Sequence, residues 1–367
     1  MFWSRIKFGR TALYSAARRG QVEVCRVIMD KKGEKNPGDL LKQTPLHFAA
    51  EAGHVDVCRL IIENVEDKNP ASHRGDTPLH FAAEGGHLEV CRLILDNVQE
   101  KNPVDSEGMT PLYLAAGKGH LEVCRLIIEN VSEKNPGDRF GKTPLHAAAR
   151  NGHAEVCRLM LKNVDEKNPR DYCGLTPLHY AVAGGGHLDV CRVIIENVED
   201  KNLANHRGDS PLHFAAARGY LEVCRLIIEN VKDKNPANNI EQTPLHFAAE
   251  AGHVDVCRLI IENVKDKNPV NHCGDTPLHL AAGRGHLEVC CLIFDNVQEK
   301  NPANNNGKTP LNFACKGDIR CLFLQFLGED NPGIKRKVHD PIKSDQEKNP
   351  ADSEGWTPVC KAARNGF

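Results

Sequence analysis

Aromatic residues are scarce in this chain of 367 residues, at 5% with only 2 Trp and 5 Tyr. Core volume must therefore come from Leu, Ile, Val and Ala packed in short elements, which argues against an aromatic-rich barrel or sandwich. An excess of one charge is also lacking: 47 Lys plus Arg face 49 Asp plus Glu, a net charge of −2. That balance argues against a binder of nucleic acid or membrane surface driven by bulk charge. No stretch approaches the ~18 apolar residues of a membrane span. Residues 1–10 carry Arg5, Lys7 and Arg10 but not the apolar run of a signal peptide. Cysteine, by contrast, is plentiful. Fifteen cysteines without a secretion signal point to free thiols in a reducing compartment. The expectation is a cytoplasmic protein without membrane insertion; the short basic run Lys335-Arg336-Lys337 reads as a solvated loop and leaves a nuclear location open.

What is present is repetition. Thr-Pro-Leu begins at Thr44, Thr77, Thr110, Thr143, Thr176, Thr243, Thr276 and Thr309, with Ser210 standing in once and Thr11-Ala12-Leu13 opening the series. The spacing is 33 residues throughout, except for 34 between Thr176 and Ser210, where an extra residue falls in Gly184-Gly185-Gly186. Each unit predicts two helices and a turn. Thr77 suits an N-cap and Pro78 the first helical position, where a missing N–H costs nothing. Ala82 and Ala83 keep that helix slim, and Gly86 ends it. A second helix is predicted from Leu88 to Asn97, with Val90, Leu93, Ile94 and Asn97 on one face. That stripe is too small to be buried alone. Lys101 to Met109 then carries the Asn-Pro and Gly of an exposed turn.

These residues resemble the ankyrin-repeat family, whose signature is Thr-Pro-Leu-His-x-Ala at a 33-residue period. The resemblance implies an all-α solenoid of helix-turn-helix units with hairpin-like turns, and a role in binding other proteins. Residues 11–308 hold nine repeats, preceded by a cap segment at 1–10 with Phe2, Trp3, Ile6 and Phe8. A degenerate repeat at 309–332, an irregular insert at 333–350 and a partial repeat at 351–367 follow. Two departures from the family stand out. Val65, Val98 and Val131 replace the usual Gly after the second helix, and Lys68, Lys101 and Lys134 replace an apolar residue. Asn64, Asn97 and Asn130 are expected to take over the left-handed turn. The repeat Asn, such as Asn69, Asn102 or Asn135, is similar to the site asparaginyl hydroxylases modify in the family, although Ile61 stands where a Leu is preferred. A larger duplication underlies the array: Gln43–Pro103 and Gln242–Pro302, 199 residues apart, differ at 9 of 61 positions.

Cysteine recurs at Cys25, Cys58, Cys91, Cys124, Cys157, Cys191, Cys224, Cys257 and Cys290, always in the second helix. Stacked helices sit ~8–10 Å apart, too far for a disulfide, whose Cα atoms lie within ~7 Å. Small buried side chains are the expected role. Only His272 and Cys273 with His279 resemble a ligand cluster. Histidine is periodic as well. Seven follow Thr or Ser by three positions, beginning with His47 and His80, and seven follow the helix-ending glycine, beginning with His54 and His87. Both sets read as bonds to turns and neighbouring repeats. With no nucleophile elbow, P-loop or His-Glu-x-x-His motif, the expectation is a non-catalytic protein with no cofactor and no metal.

Function then belongs to positions that differ between repeats. The family's concave groove, lined by turn tips and first helices, carries Arg139, Phe140, Arg150, Tyr172, Leu175, Tyr180, Arg207 and Arg218 in the middle of the array. Arg and aromatic residues are enriched at interface hot spots. Glu51, Glu84 and Glu250 occupy the corresponding helix positions on the flanks. The expected partner of a monomeric scaffold or adaptor is a polypeptide with an acidic and apolar segment. A place within a larger enzyme or channel, or a spacing role, are the alternatives.

Overall fold

The computed structural model describes residues 12–31, 35–314 and 317–330. The expected cap at 1–10, the insert at 333–350 with its basic run, and the partial repeat at 351–367 lie outside the described residues. The chain divides into two compact units, Met1–Asp200 and Lys201–Phe367. In the first, α1 (Ala12–Arg18) and α2 (Val22–Lys31) precede α3 (Pro45–Glu51) and α4 (Val55–Ile62), then α5 (Pro78–Gly85) and α6 (Leu88–Asn97). There follow α7 (Pro111–Lys118) and α8 (Leu121–Asn130), α9 (Pro144–Arg150) and α10 (Ala154–Asn163), and α11 (Pro177–Gly185) and α12 (Leu188–Asn197). The second unit holds α13 (Pro211–Arg218) and α14 (Leu221–Asn230), α15 (Pro244–Ala251) and α16 (Val254–Asn263), α17 (Pro277–Arg284) and α18 (Leu287–Asn296), α19 (Pro310–Phe313) and α20 (Gly317–Asp330). No strand occurs among the described residues. Within each unit, first helices pack on first helices and second on second. This is the all-α solenoid that the repeat predicts.

Local chemistry sets each helix pair. Thr77 has extended N-cap angles (φ −108°, ψ 165°), with Pro78 at the first helical position, and Gly86 ends α5 in the left-handed conformation at φ 74°. A Cβ on Gly86 would come within 2.6 Å of Nδ1 of His120 in the next repeat. Glycine therefore serves two needs there, the backbone angle and the close approach of a neighbour.

The two histidine sets staple the stack in opposite directions. The Thr44 N–H donates to Nδ1 of His47 at 2.9 Å, which leaves the ring proton on Nε2. Nε2 of His47 then donates to the Asp76 carbonyl, 29 residues ahead, at 3.1 Å. His54 Nε2 reaches back to the Arg18 carbonyl at 3.0 Å, and His87 to that of Glu51 at 2.9 Å. A repeat that carries both histidines is thus bonded forward through one ring and backward through another.

Packing supplies most of the stability. Val57, Cys58, Ile61 and Ile62 of α4 are at most 1% exposed, as are Val90, Cys91, Ile94 and Leu95 of α6. Burying one such aliphatic side chain contributes about 1.5–3 kcal/mol. The end of the stack shows what neighbours add. Val24 and Val27 of α2 are 45% and 51% exposed, whereas their equivalents Val57 and Leu60 are 0% and 7% exposed. Among the described residues no second helix precedes α2.

The expectation that Asn64, Asn97 and Asn130 adopt the left-handed turn is overturned. Among the described residues the positive-φ residues other than glycine are Lys42 and Glu241, and α6 passes from Asn97 to an extended Val98. The asparagine acts through its side chain instead. Asn97 Nδ2 donates to the Leu93 carbonyl at 2.9 Å, capping its own helix, while Oδ1 accepts from Lys68 of the preceding repeat at 3.5 Å. Lys101 and Asn130 repeat the pair at 3.2 Å. The lysine that departs from the family pattern is therefore the partner, across repeats, of the asparagine that closes the second helix.

The repeat ends differently at the far end. After the short α19, α20 packs on α18, where Cys291 and Phe294 stand in place of Arg92 and Leu95 of the duplicated block. Both are buried, and the Phe294 and Phe323 rings meet edge to face at 4.8 Å.

Candidate partner-binding face

The turn tips are built by one carboxylate or amide each, except that the Ser72 hydroxyl takes this place in one repeat. Asp138 Oδ1 accepts from the N–H groups of Phe140 and Lys142 at 2.8 and 2.9 Å, and Asp171 Oδ1 from those of Cys173 and Leu175 at 2.8 Å. In the second unit Asn205, Asn238, Asn271 and Asn304 do the same work. Their amide adds a donor: Asn238 Nδ2 reaches Asp209 Oδ1 at 2.7 Å.

Neighbouring tips are joined by backbone bonds. In the first unit the Arg139 N–H donates to the Glu107 carbonyl and the Tyr172 N–H to the Phe140 carbonyl, both at 2.9 Å. This places Phe140 beside Tyr172, and the two rings are 47% and 72% exposed. The Tyr172 ring covers Gly141, where an added Cβ would lie 2.8 Å from Cδ1. Arg139 is held on both sides, by Glu107 Oε2 at 2.6 Å and by the Phe140 ring 4.7 Å from its guanidinium carbon. Lys142 Nζ lies 5.2 Å from the Phe140 centroid and 5.9 Å from that of Tyr180. Arg150 is exposed at the end of α9.

Tyr180 needs a correction. Its ring is 9% exposed, edge-on to His146 at 5.1 Å, and its hydroxyl donates to Asp171 Oδ2 at 2.8 Å. Burial, and then the Asp171 carboxylate, push its pKa up. It forms the floor beneath Lys142 and offers a partner little surface. Leu175 is half-buried, and its carbonyl accepts from His146 Nε2 at 3.1 Å. Arg207 and Arg218 are exposed in the second unit.

Two residues of this face escaped the sequence reading. Lys142 lies between two rings that only the fold brings together. Tyr113 replaces the histidine three positions after Thr110, a break in the pattern that was visible. Its hydroxyl makes no hydrogen bond among the described residues, unlike that of Tyr14, which reaches the Gln43 carbonyl at 3.1 Å. Burial, then the Asp138 charge, raise the Tyr113 pKa, opposed by the Arg150 charge.

Cysteine and histidine are occupied elsewhere. The ladder cysteines Cys58, Cys91, Cys124, Cys191 and Cys224 are fully buried, and desolvation pushes each thiol up to about 12. The His272, Cys273 and His279 cluster does not assemble a ligand set. His279 is 0% exposed, with Nδ1 taken by the Thr276 N–H and Nε2 bonded to the Lys308 carbonyl. Among the described residues no group of three or more His, Cys, Asp or Glu is placed to hold a metal ion, and no helix is long and apolar enough to cross a membrane.

Comparison with protein families matches ankyrin repeats in blocks of three copies at residues 3–72, 63–138, 129–205, 186–270 and 263–337. Comparison with curated proteins gave no match. With matched segments covering most of its length and the same stapled helix pairs recurring in both units, the chain belongs to the ankyrin-repeat family.

Proposed function

We propose that this protein is a non-catalytic scaffold or adaptor, monomeric and cytoplasmic, which binds a partner polypeptide through its turn tips and first helices. Ankyrin repeats are in general modules of protein–protein interaction. The observation that carries the finer reading is the exposed pair Phe140 and Tyr172, set side by side on adjacent tips. Two large rings held by backbone bonds present apolar area at little entropic cost, a common property of binding anchors. Arg139, Arg150 and Leu175 complete the face on the first unit; in the second unit, taken by itself, Arg207 and Arg218 are exposed. A partner segment with acidic and apolar side chains fits this chemistry.

Affinity capture from the native lysate tests the reading. The intact chain is compared with one carrying Ala at Arg139, Tyr172 and Arg207, and retained proteins are quantified. Loss of a retained protein from the variant supports the face; equal capture by both chains removes it.

A further inference from the structure

The cations on the first unit's face are not equivalent. Lys118 Nζ lies 3.3 Å from Glu84 Oε1, and Arg139 Nη2 lies 2.6 Å from Glu107 Oε2. Each is neutralised by the preceding repeat. Lys142 and Arg150 have no carboxylate partner among the described residues. The nearby Asp138 and Asp171 are 8% and 5% exposed, with oxygens committed to their own tips and to Tyr180.

Two rows become cationic together. From Thr44 on, the residue before each Thr runs Gln43, Asp76, Met109, Lys142, Leu175, and the residue seven positions after each Thr runs Glu51, Glu84, Gly117, Arg150. Neutral or acidic in the repeats beginning at Thr44, Thr77 and Thr110, both rows are cationic at the repeat beginning at Thr143. Phe140 and Tyr172 sit on the tips flanking that repeat, with Lys142 Nζ over the Phe140 ring. An uncompensated Lys142 over the Phe140 ring and an uncompensated Arg150 at the end of the following helix, on a face with two exposed rings, leave a defined complement: carboxylates together with aromatic or aliphatic side chains.

We propose that this face takes an acidic segment of a partner polypeptide, its carboxylates on Lys142 and Arg150 and an adjacent apolar side chain against Phe140 and Tyr172. The inference rests on the scaffold reading above and names the partner class for that site. Uncompensated cations steer an acidic chain towards the face, and the rings hold it once docked.

Random displayed peptides panned on the full chain provide the test, with binding of the enriched peptides measured on two double variants. These are Lys142→Glu/Arg150→Glu and Phe140→Ala/Tyr172→Ala, both at exposed or half-buried positions and checked by thermal melting. The expected peptides pair Asp or Glu with aromatic or aliphatic residues, bind the charge-reversed chain about tenfold more weakly or worse, and bind less tightly as salt rises. If charge reversal changes nothing while loss of the rings abolishes binding, the face stands and the acidic partner class is overturned. If neither variant matters, or no peptide is enriched, the face itself is overturned. A dimer of the intact chain that the ring variant loses in sedimentation would replace the partner with a second copy and overturn the proposal.

Discussion

His47 Nε2 donates to the Asp76 carbonyl, one repeat ahead, at 3.1 Å, while its Nδ1 accepts from the Thr44 N–H at 2.9 Å. Only the neutral ring can do both. A second proton on Nδ1 would face a donor, inside a site 1% exposed.

The first prediction is therefore a loss of stability in mild acid. Burial holds the His47, His146 and His246 rings at about 4, and pushes His80, His213 and His279 below their ordinary 6.5. These groups are depressed cations, so the unfolded chain binds more protons than the folded one below pH 6.5. Stability is fully present above that value and is lost progressively towards pH 4. Circular-dichroism melts from about pH 8 to about pH 5 should show Tm falling once pH drops below about 6.5. An unchanged Tm over that range would mean that the rings are not locked neutral.

A second prediction concerns the tips. Lys42 and Glu241 sit at φ 56° and 60°, in a position where Gly75, Gly108, Gly141 and Gly174 occur in other repeats. A left-handed residue with a side chain costs ~1–2 kcal/mol, and glycine returns part of that gain through its freer unfolded chain. Lys42→Gly and Glu241→Gly should each stabilise by about 0.5–1 kcal/mol in denaturant titrations. Gly141→Ala, at φ 77° and against the Tyr172 ring, should destabilise. The reverse order of stabilities would contradict the strain argument.

The third prediction follows from Tyr113. It leaves Thr110 without the histidine that accepts the N-cap N–H and bridges to the next repeat, and Ala147 stands where other repeats offer an aromatic ring to that histidine, as Phe81 does to His47 at 5.7 Å. Tyr113→His with Ala147→Phe restores both contacts. The double variant should gain about 1 kcal/mol in unfolding free energy; a lower stability would show that Tyr113 is packed better than its replacement.

Thiol labelling gives a fourth. Cys173, Cys273 and Cys321 are exposed, whereas the nine ladder cysteines and Cys291 are buried. A thiolate is the reactive species, and burial both hides the sulfur and raises its pKa. Mass spectrometry after native maleimide treatment should find the three exposed residues modified and the ten buried ones protected until denaturant is added. Native labelling of Cys124 or Cys224 would show local opening of the stack.

Much of this was legible in the sequence because it is local. Thr77, Pro78 and Gly86 mark a helix start and stop through their own backbone preferences, and α6 spans the Leu88 to Asn97 that the apolar spacing predicts. The buried cysteine ladder and both histidine roles followed from periodicity. The candidate face was legible only in part. Phe140 and Tyr172 are exposed where the varying tips suggested, but Tyr180, of the same chemical type as Tyr172, is turned inward to Asp171. Lys142 carried no signal of its own.

The sequence by itself determined the repeat, its two helices, its caps and the residues that fill its core, because each depends on neighbours within a few turns or on a pattern repeated many times. The tertiary structure alone decided which partners meet across 29 residues, such as Lys68 with Asn97, and which aromatic side chains reach solvent. The physical reason is that a side chain's exposure and pairing are set by the next repeat stacked against it, and an isolated unit has no such neighbour.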